Sequence, residues 1–213
     1  MAVSRGQAKV IVAGLSCLAV AGAAGVLLRD RVPPLDQWLL EHFRAPGDSV
    51  SAQAARAVTG LGTLLGLAVL AVALVGVWRS LPAGRLRLLV RAGLVLLICA
   101  ATATSQAAFQ RLGPPVVAED WTYPSGTGVT VGAMAVTAVV LAYRLSTGWR
   151  ATVLAAGVAA MVMVSIGRIA VGEHYLLDMA GAALIVTGAG LLVAGLLGLL
   201  PAARTTAIAA SNA

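Results

Sequence analysis

The 213-residue sequence predicts an all-α polytopic membrane protein: a single membrane domain, residues 1–213, folded as a bundle of six transmembrane helices. Composition predicts the class, because 60% of the residues are hydrophobic and only 11% are charged, with a mean hydropathy of +0.94. A soluble domain of this length could not bury so much apolar surface in one core. The apolar runs lack the alternation typical of a β-barrel, so helices are expected.

Six windows rich in leucine, valine and alanine approach the length that crosses the hydrocarbon layer, about 20 residues per helix. These windows are residues 10–28, 59–78, 88–109, 129–143, 151–171 and 176–200. The fourth window is short, but it can extend backwards through residues 126–128. We therefore expect six spans.

The first window also resembles a secretory signal peptide, because Arg5 and Lys9 precede a stretch rich in alanine and glycine. Its apolar run is long for a signal peptide, and the charged segment 29–31 follows it directly. We favour an uncleaved helix. Cleavage would leave five helices, with the later connections on the same sides.

The connection after the first window, residues 29–58, contains a predicted short amphipathic helix. After two prolines, apolar and aromatic residues recur there at helical spacing: Leu35, Trp38, Leu39, His42 and Phe43. Such a helix lies at the membrane interface, with Trp38 as its anchor. Asp48 and Ser49 are typical of an N-terminal cap, so the second span can begin before residue 59.

Basic and acidic residues occupy alternate connections, and this alternation predicts the topology. The connections taken as cytoplasmic hold Arg5, Lys9, Arg79, Arg85, Arg87, Arg91, Arg144, Arg150 and Arg204, and no acidic residue. All eight acidic residues lie in the other three connections: Asp30, Asp36, Glu41, Asp48, Glu119, Asp120, Glu173 and Asp178. Because lysine and arginine in short loops favour the cytoplasmic side, we expect a multi-pass cell-membrane protein with both termini cytoplasmic.

The net charge of +7 fits this topology and an affinity for anionic lipid head groups. It does not indicate nucleic acid as a partner, because no basic patch is interleaved with aromatic residues. Cys17 and Cys99 each lie within an apolar window as small fillers, without the spacing of metal ligands. We expect membrane lipids as neighbours and neither a metal nor a cofactor, and the sequence leaves the oligomeric state open.

The third outer connection carries ionisable residues at a membrane boundary, where they are costly. His174 and Asp178 are four residues apart, so they share one helix face. There the carboxylate can hold one imidazole nitrogen and leave the other basic. Arg168 ends the preceding span near the same surface, and an arginine beside an oriented imidazole predicts a phosphate site. The alternative is that these are interfacial loop residues and that Arg168 snorkels to lipid phosphates.

A second candidate segment, residues 123–127, leads directly into the fourth span. Free backbone N–H groups at a helix start, with the Ser125 hydroxyl beside them, form an anion-binding end. A turn with an ordinary cap is the alternative. Both candidate segments fall on the same predicted outer side, which favours one shared site.

These two segments together resemble the type 2 phosphatidic acid phosphatases, membrane proteins of six helices with three short motifs on one face. The third family motif is Arg, five residues, His, three residues and Asp. Arg168, His174 and Asp178 match it without a gap, although Gly167 stands where the family usually has serine. The motif region covers residues 106–181.

The other two motifs are degenerate. The second family motif is Pro-Ser-Gly-His, and residues 124–126 match it with Thr127 in the histidine position. The first is Lys, six residues, Arg-Pro, and the best alignment puts Gln106 at the lysine and Gly113 at the arginine. Arg111 lies two residues away, and we expect it to reach the pocket in place of the missing arginine.

The resemblance implies a membrane-embedded lipid phosphate phosphatase with its site on the extracytoplasmic face. It implies that His174 attacks phosphorus and forms a phosphohistidine while Asp178 orients the ring. The residues expected around the phosphate are Arg168, Ser125, Gly126, Thr127 and Arg111. Threonine cannot protonate a leaving oxygen as the family histidine would, and removing general acid catalysis costs about 10²–10⁴ in rate.

Three functions follow from this pattern. The first is a lipid phosphatase that favours diphosphates, such as an isoprenoid carrier diphosphate, because a departing phosphate needs no acid. The second is a binding or transport protein that keeps a lipid-phosphate pocket with little turnover. The third is a structural membrane subunit on an inherited scaffold, which predicts a stable partner and no phosphate affinity.

Overall fold

The computed structural model describes residues 4–81 and 84–200, and their regular secondary structure is helical apart from one isolated β-bridge between Leu112 and Trp121. The α-helices of this part are α1 (Arg5–Leu28), α2 (Pro34–Phe43), α3 (Val50–Ser80), α4 (Arg85–Ala101), α5 (Gln106–Phe109), α6 (Gly126–Ala142), α7 (Thr147–Val171) and α8 (Leu176–Leu196). Helix α4 continues through a 3₁₀ turn, Thr102–Ser105, directly into α5. The all-α membrane class is confirmed.

Five of the described helical segments are long and apolar enough to cross a membrane: α1, α3, α4 with α5, α7 and α8. Helix α6 is apolar but has only 17 residues. It starts at Gly126, because the Ser125 side chain caps it there. A sixth span formed by α6 therefore remains a prediction from sequence. Helix α3 begins at Val50, well before residue 59, because Ser49 accepts a hydrogen bond from the Ala52 N–H and caps it.

Helices α6 and α8 form the centre of the bundle, and α1, α3, α4 and α7 surround them. Glycines allow the closest approaches. A Cβ on Gly14 of α1 would lie 2.8 Å from the Gly188 carbonyl oxygen of α8. At the same seam, the Gln7 side chain donates to the Gly195 carbonyl. The start of α1 thus lies beside the end of α8.

Helix α2 covers the end of the bundle where α7 finishes and α8 starts. The chain after it is tied to α7 by a hydrogen bond from the Ala45 N–H to the Ala170 carbonyl, at 2.7 Å. Trp38 and Phe43 remain about half exposed, at 48% and 58%, as expected for a helix at the membrane interface. Asp36, in its first turn, is fully buried instead.

The connection between α5 and α6 folds back on itself as a short antiparallel turn. The Thr122 N–H donates to the Arg111 carbonyl, and the Gly113 N–H donates to the Asp120 carbonyl. Tyr123 follows, and its hydroxyl donates to the Ala21 carbonyl of α1 at 2.6 Å. This turn places Arg111 inside the protein, next to the start of α8.

Candidate active site

An open cleft of about 420 Å³ lies where α6 and α8 begin and α7 ends. The sequence-predicted residues that line it are Gly126, Thr127, Arg168 and His174. Gln106, Asp120, Trp121, Thr122 and Glu173 also contribute to its walls. The two candidate segments, separated by about 40 residues of sequence, therefore meet at one cleft.

The imidazole of His174 lies between a cation and a carboxylate. Its Nε2 atom is 3.1 Å from Nη2 of Arg168, and its Nδ1 atom is 3.6 Å from Oδ2 of Asp178. Nδ1 is buried and makes no hydrogen bond within the described residues. A proton on Nδ1 satisfies both contacts, because it points at the carboxylate and leaves the Nε2 lone pair to accept from Arg168.

Asp178 is held rigidly from several directions. Oδ2 accepts a hydrogen bond from the Tyr175 N–H at 2.9 Å, since Asp178 is the third residue of α8. Its backbone carbonyl accepts from the Ser125 N–H at 3.1 Å, which joins the start of α8 to the start of α6. Its side chain is fully buried. A fixed carboxylate of this kind orients an imidazole ring.

Arg111 lies behind Asp178 and does not line the cleft. Its Nη1 donates to Oδ1 of Asp178 at 2.6 Å, and its Nη2 donates to Oδ2 of Asp36 at 2.8 Å. The guanidinium also stacks over the Tyr175 ring, 4.6 Å from its centroid. Both edges of the guanidinium fork are engaged by carboxylates, so this geometry differs from the phosphate contact expected of Arg111 from sequence.

Asp36 belongs to this buried cluster, although the sequence did not predict it as a site residue. Its Oδ2 pairs with Arg111, and its Oδ1 accepts a hydrogen bond from the Leu177 N–H at 3.2 Å. The apolar positions of residues 35–43 predict an interfacial helix but assign no role to Asp36. An ion pair between residues 75 positions apart gives no local sequence signal. The one available sign was that Asp36, one of only eight acidic residues, lies in the first turn of a predicted short helix.

Ser125 caps α6 rather than facing the cleft. Its Oγ accepts a hydrogen bond from the Gly128 N–H at 3.3 Å, and the residue is fully buried. Gly126 and Thr127 are partly exposed and open onto the cleft. The start of α6 can therefore offer backbone N–H groups to an anion there, with the hydroxyl acting as a cap.

The two positions aligned with the first family motif behave differently. Gln106 reaches the cleft, and its side-chain amide donates to the Pro124 carbonyl at 2.8 Å. Gly113 is enclosed by the turn, where a Cβ would lie 2.6 Å from Thr122 Cγ2 and 2.8 Å from the Val117 carbonyl oxygen. An arginine at position 113 would force this turn to rearrange.

The cleft contains two carboxylates, Glu173 and Asp120, beside the Arg168 guanidinium. Arg168 forms an ion pair with Glu173 through its Nη1 atom, and Asp120 also lines the cleft. An incoming phosphate must therefore compete with Glu173 for the guanidinium. Glu173 and Asp120 were not among the residues predicted for the site.

Two buried tyrosines, Tyr123 and Tyr175, lie near Asp178 and Arg111. Burial, with a further contribution from the Asp178 carboxylate, raises the pKa of Tyr123 to about 12, although the Arg111 cation opposes this shift. Burial also raises the pKa of Tyr175. Both phenols stay protonated near neutral pH, and Tyr123 keeps its hydrogen bond to α1.

The fold is similar to a crystal structure of a transmembrane PAP2 type phosphatidylglycerolphosphate phosphatase from Bacillus subtilis, with a TM-score of 0.62 and 20% sequence identity. The match covers 90% of this chain and 98% of that chain. No protein-family model matches the chain, and no curated protein matches it in sequence. At this identity the likeness establishes a shared fold.

Proposed function

We propose that this protein belongs to the type 2 phosphatidic acid phosphatase superfamily and hydrolyses the phosphate groups of membrane lipids in the cleft. The observation that carries the proposal is the Arg168–His174–Asp178 arrangement, with Nε2 of His174 turned to the cation and Nδ1 turned to the carboxylate. The shared fold with a PAP2 type phosphatase and the intact spacing of the third motif support it.

In the proposed reaction, a phosphate oxygen takes over the Arg168 N–H groups, which frees the Nε2 lone pair. Nε2 attacks phosphorus, the bond from phosphorus to the leaving oxygen breaks, and a phosphohistidine forms. The Asp178 carboxylate faces the Nδ1 proton of His174 and keeps Nε2 directed at phosphorus. Water then attacks phosphorus, and the P–N bond breaks and returns its electron pair to Nε2. Inorganic phosphate leaves with the oxygen of that water, whose proton passes to solvent. Arg168 and the N–H groups at the start of α6 neutralise the oxygens throughout.

Arg111 and Asp36 act as positioning residues in this scheme. Arg111 binds the Asp178 oxygen that does not face His174, so it fixes the carboxylate without touching the substrate. Asp36 holds the other edge of Arg111 and also bonds the first turn of α8. Arg111, which lies two residues from the position of the missing motif arginine, thus orients Asp178.

The substrate preference follows from Thr127. The cleft holds no histidine besides His174 among its described lining residues, and a threonine hydroxyl does not donate a proton near neutral pH. A substrate whose leaving group is itself a phosphate needs no such donor. We therefore place lipid diphosphates, such as an isoprenoid carrier diphosphate, ahead of phosphatidic acid. We also place the site on the extracytoplasmic face and both termini in the cytoplasm.

The test is phosphate release by the purified full-length protein from a panel containing phosphatidic acid, phosphatidylglycerolphosphate and an isoprenyl diphosphate. His174→Ala should reduce release to background. His42→Ala is the matched control, because His42 is the other histidine of the chain and lies exposed on α2. A surface change of this kind should alter the rate by no more than about twofold. Release that is unchanged in His174→Ala would remove the proposed nucleophile.

A binding function without turnover is the second candidate, and the carboxylates in the cleft favour it. Glu173 already occupies Arg168, and Asp120 adds a second negative charge, so the electrostatics are poor for a dianionic transition state. This candidate predicts lipid-phosphate binding that survives His174→Ala, together with no phosphate release by the unmodified protein.

A further inference from the structure

A second polar cavity lies at the end of the bundle opposite to the active-site cleft. It has a volume of about 270 Å³ and sits where α3, α6 and α8 end and α4 starts. Three arginines line it: Arg87, Arg91 and Arg144. Its remaining walls are apolar apart from Gly84.

No acidic side chain of the protein is available to neutralise these arginines. All eight acidic residues lie at the other end of the bundle. Arg91 donates to the Leu197 carbonyl at 3.2 Å, and Arg144 donates to the Leu199 carbonyl at 3.2 Å. These bonds hold two guanidinium groups beside the cavity without cancelling their charge.

The N-terminus of α4 adds to the positive potential. Its N-cap residue, Gly84, lines the cavity and provides no side chain to cap the helix. No acidic residue occupies the first turn of this 17-residue helix. The first N–H groups of a helix carry partial positive charge and bind anions when no side chain caps them. An uncapped helix end and three arginines therefore meet at one cavity.

An apolar groove next to the cavity indicates that the bound anion belongs to a lipid. The groove, of about 400 Å³, runs between α6, α7 and α8. It includes Tyr143 and Leu200, the chain neighbours of the cavity residues Arg144 and Leu199. It extends from Gly132 of α6 to Tyr143 at the C-cap of that helix, which is about 16 Å at 1.5 Å per residue. That length accommodates much of an acyl chain.

We propose that the arginine cavity binds the phosphate of an anionic phospholipid whose acyl chain lies in the groove between α6, α7 and α8. Basic pockets between membrane helices bind lipid head groups in this way. The site is separate from the active-site cleft and does not depend on the proposed phosphatase activity. A free phosphate would use the same arginines but would leave the groove without a role, so the two sources can be separated by experiment.

The test measures lipid retention by the purified full-length protein in native mass spectrometry, with phosphatidylglycerol and phosphatidylcholine of identical chains. We expect phosphatidylglycerol to bind more tightly and Arg87→Gln with Arg144→Gln to weaken it, by about fivefold for each arginine. Arg79→Gln is the control for each of these substitutions made singly, because it removes one charge at the same end of the bundle from a residue outside the cavity. Equal retention of both lipids, or an equal loss in the control, would overturn the proposal.

Two further measurements test whether the bound phosphate belongs to a lipid or to a soluble molecule. Val158→Trp should fill the groove and weaken phosphatidylglycerol retention, because Val158 lines the groove and is 54% exposed. Ile166→Trp on the same helix is 58% exposed and lies outside the groove, so it should have no effect. Glycerol phosphate or inorganic phosphate should not compete with the lipid at millimolar concentration. Effective competition would assign the cavity to a soluble phosphate and overturn the lipid assignment.

Discussion

Thr127 is the residue on which the substrate preference depends. It lines the cleft at the start of α6, so a histidine in its place would reach a bound phosphate. If the missing acid limits monoester cleavage, Thr127→His should accelerate release from phosphatidic acid by about tenfold or more, and release from a diphosphate by much less. The measurement is the ratio of the two rates in variant and unmodified protein.

Thr130→His provides the control for this experiment. Thr130 is exposed on the same helix, less than one turn further along, and does not line the cleft. It should leave both rates unchanged. Equal acceleration of both substrates by Thr127→His, or no acceleration of either, would contradict the explanation from the leaving group.

The buried Asp36–Arg111–Asp178 cluster makes a second prediction for single residues. Removing one partner of a buried ion pair leaves an uncompensated charge and costs about 3–5 kcal/mol. Asp36→Ala should therefore lower the melting temperature markedly, whereas Asp48→Ala should not, because Asp48 is exposed and lies 3.8 Å from Arg56.

Activity separates a positioning role from a purely structural one. Asp36→Asn keeps the shape of the side chain and its bond to the Leu177 N–H, so it should restore much of the stability. If the cluster positions Asp178, kcat should remain low in Asp36→Asn while KM changes little. Full recovery of kcat together with stability would leave Asp36 with a structural role alone.

Among the helices, the contact between α3 and α7 explains a difference between this sequence and the motif of the family that it resembles. Gly167 stands where the family usually has serine, and a Cβ there would lie 2.1 Å from Thr59 Oγ1 and 2.5 Å from the Ala55 carbonyl oxygen. Gly167→Ser should therefore destabilise the protein by about 1–3 kcal/mol, as overpacking does, and should not raise activity. Thermal unfolding and phosphate release measure the two effects.

Gly93→Ala is the matched control for a glycine within a helix. A Cβ at Gly93 of α4 would meet no heavy atom within 4 Å. This substitution should leave stability unchanged or raise it by up to about 1 kcal/mol, because alanine favours the helical backbone. Equal destabilisation by both variants would show that close packing at Gly167 is not the cause.

The whole molecule is polarised from end to end, and this polarity predicts its orientation in the membrane. The proposed active-site cleft and the acidic residues occupy one end, and the arginine cavity occupies the other. With Cys17 and Cys99 replaced by alanine, a membrane-impermeant maleimide should label Asp48→Cys on intact cells. It should label Gly148→Cys, in the connection before α7, only after permeabilisation. The reverse pattern would invert the proposed topology.

The sequence by itself determined the features that depend on short windows. Apolar runs of membrane length predict helices because an isolated helix satisfies its own backbone hydrogen bonds in lipid. The four-residue spacing of His174 and Asp178 predicts a shared helix face, and Arg168 ends the helix before it. Of the residues predicted for one site, Gly126, Thr127, Arg168 and His174 line the cleft. Ser125, Asp178 and Arg111 are buried and do not line it.

Only the tertiary structure decided how distant buried groups are paired. Asp36 and Arg111 are 75 residues apart and meet because α2 folds over the start of α8 while the turn before α6 carries Arg111 inward. Helix packing likewise brings Arg87 and Arg91 of α4 together with Arg144, which follows α6, in one cavity. Local spacing carries no information about such contacts, because they form only where separately determined helices come to lie side by side.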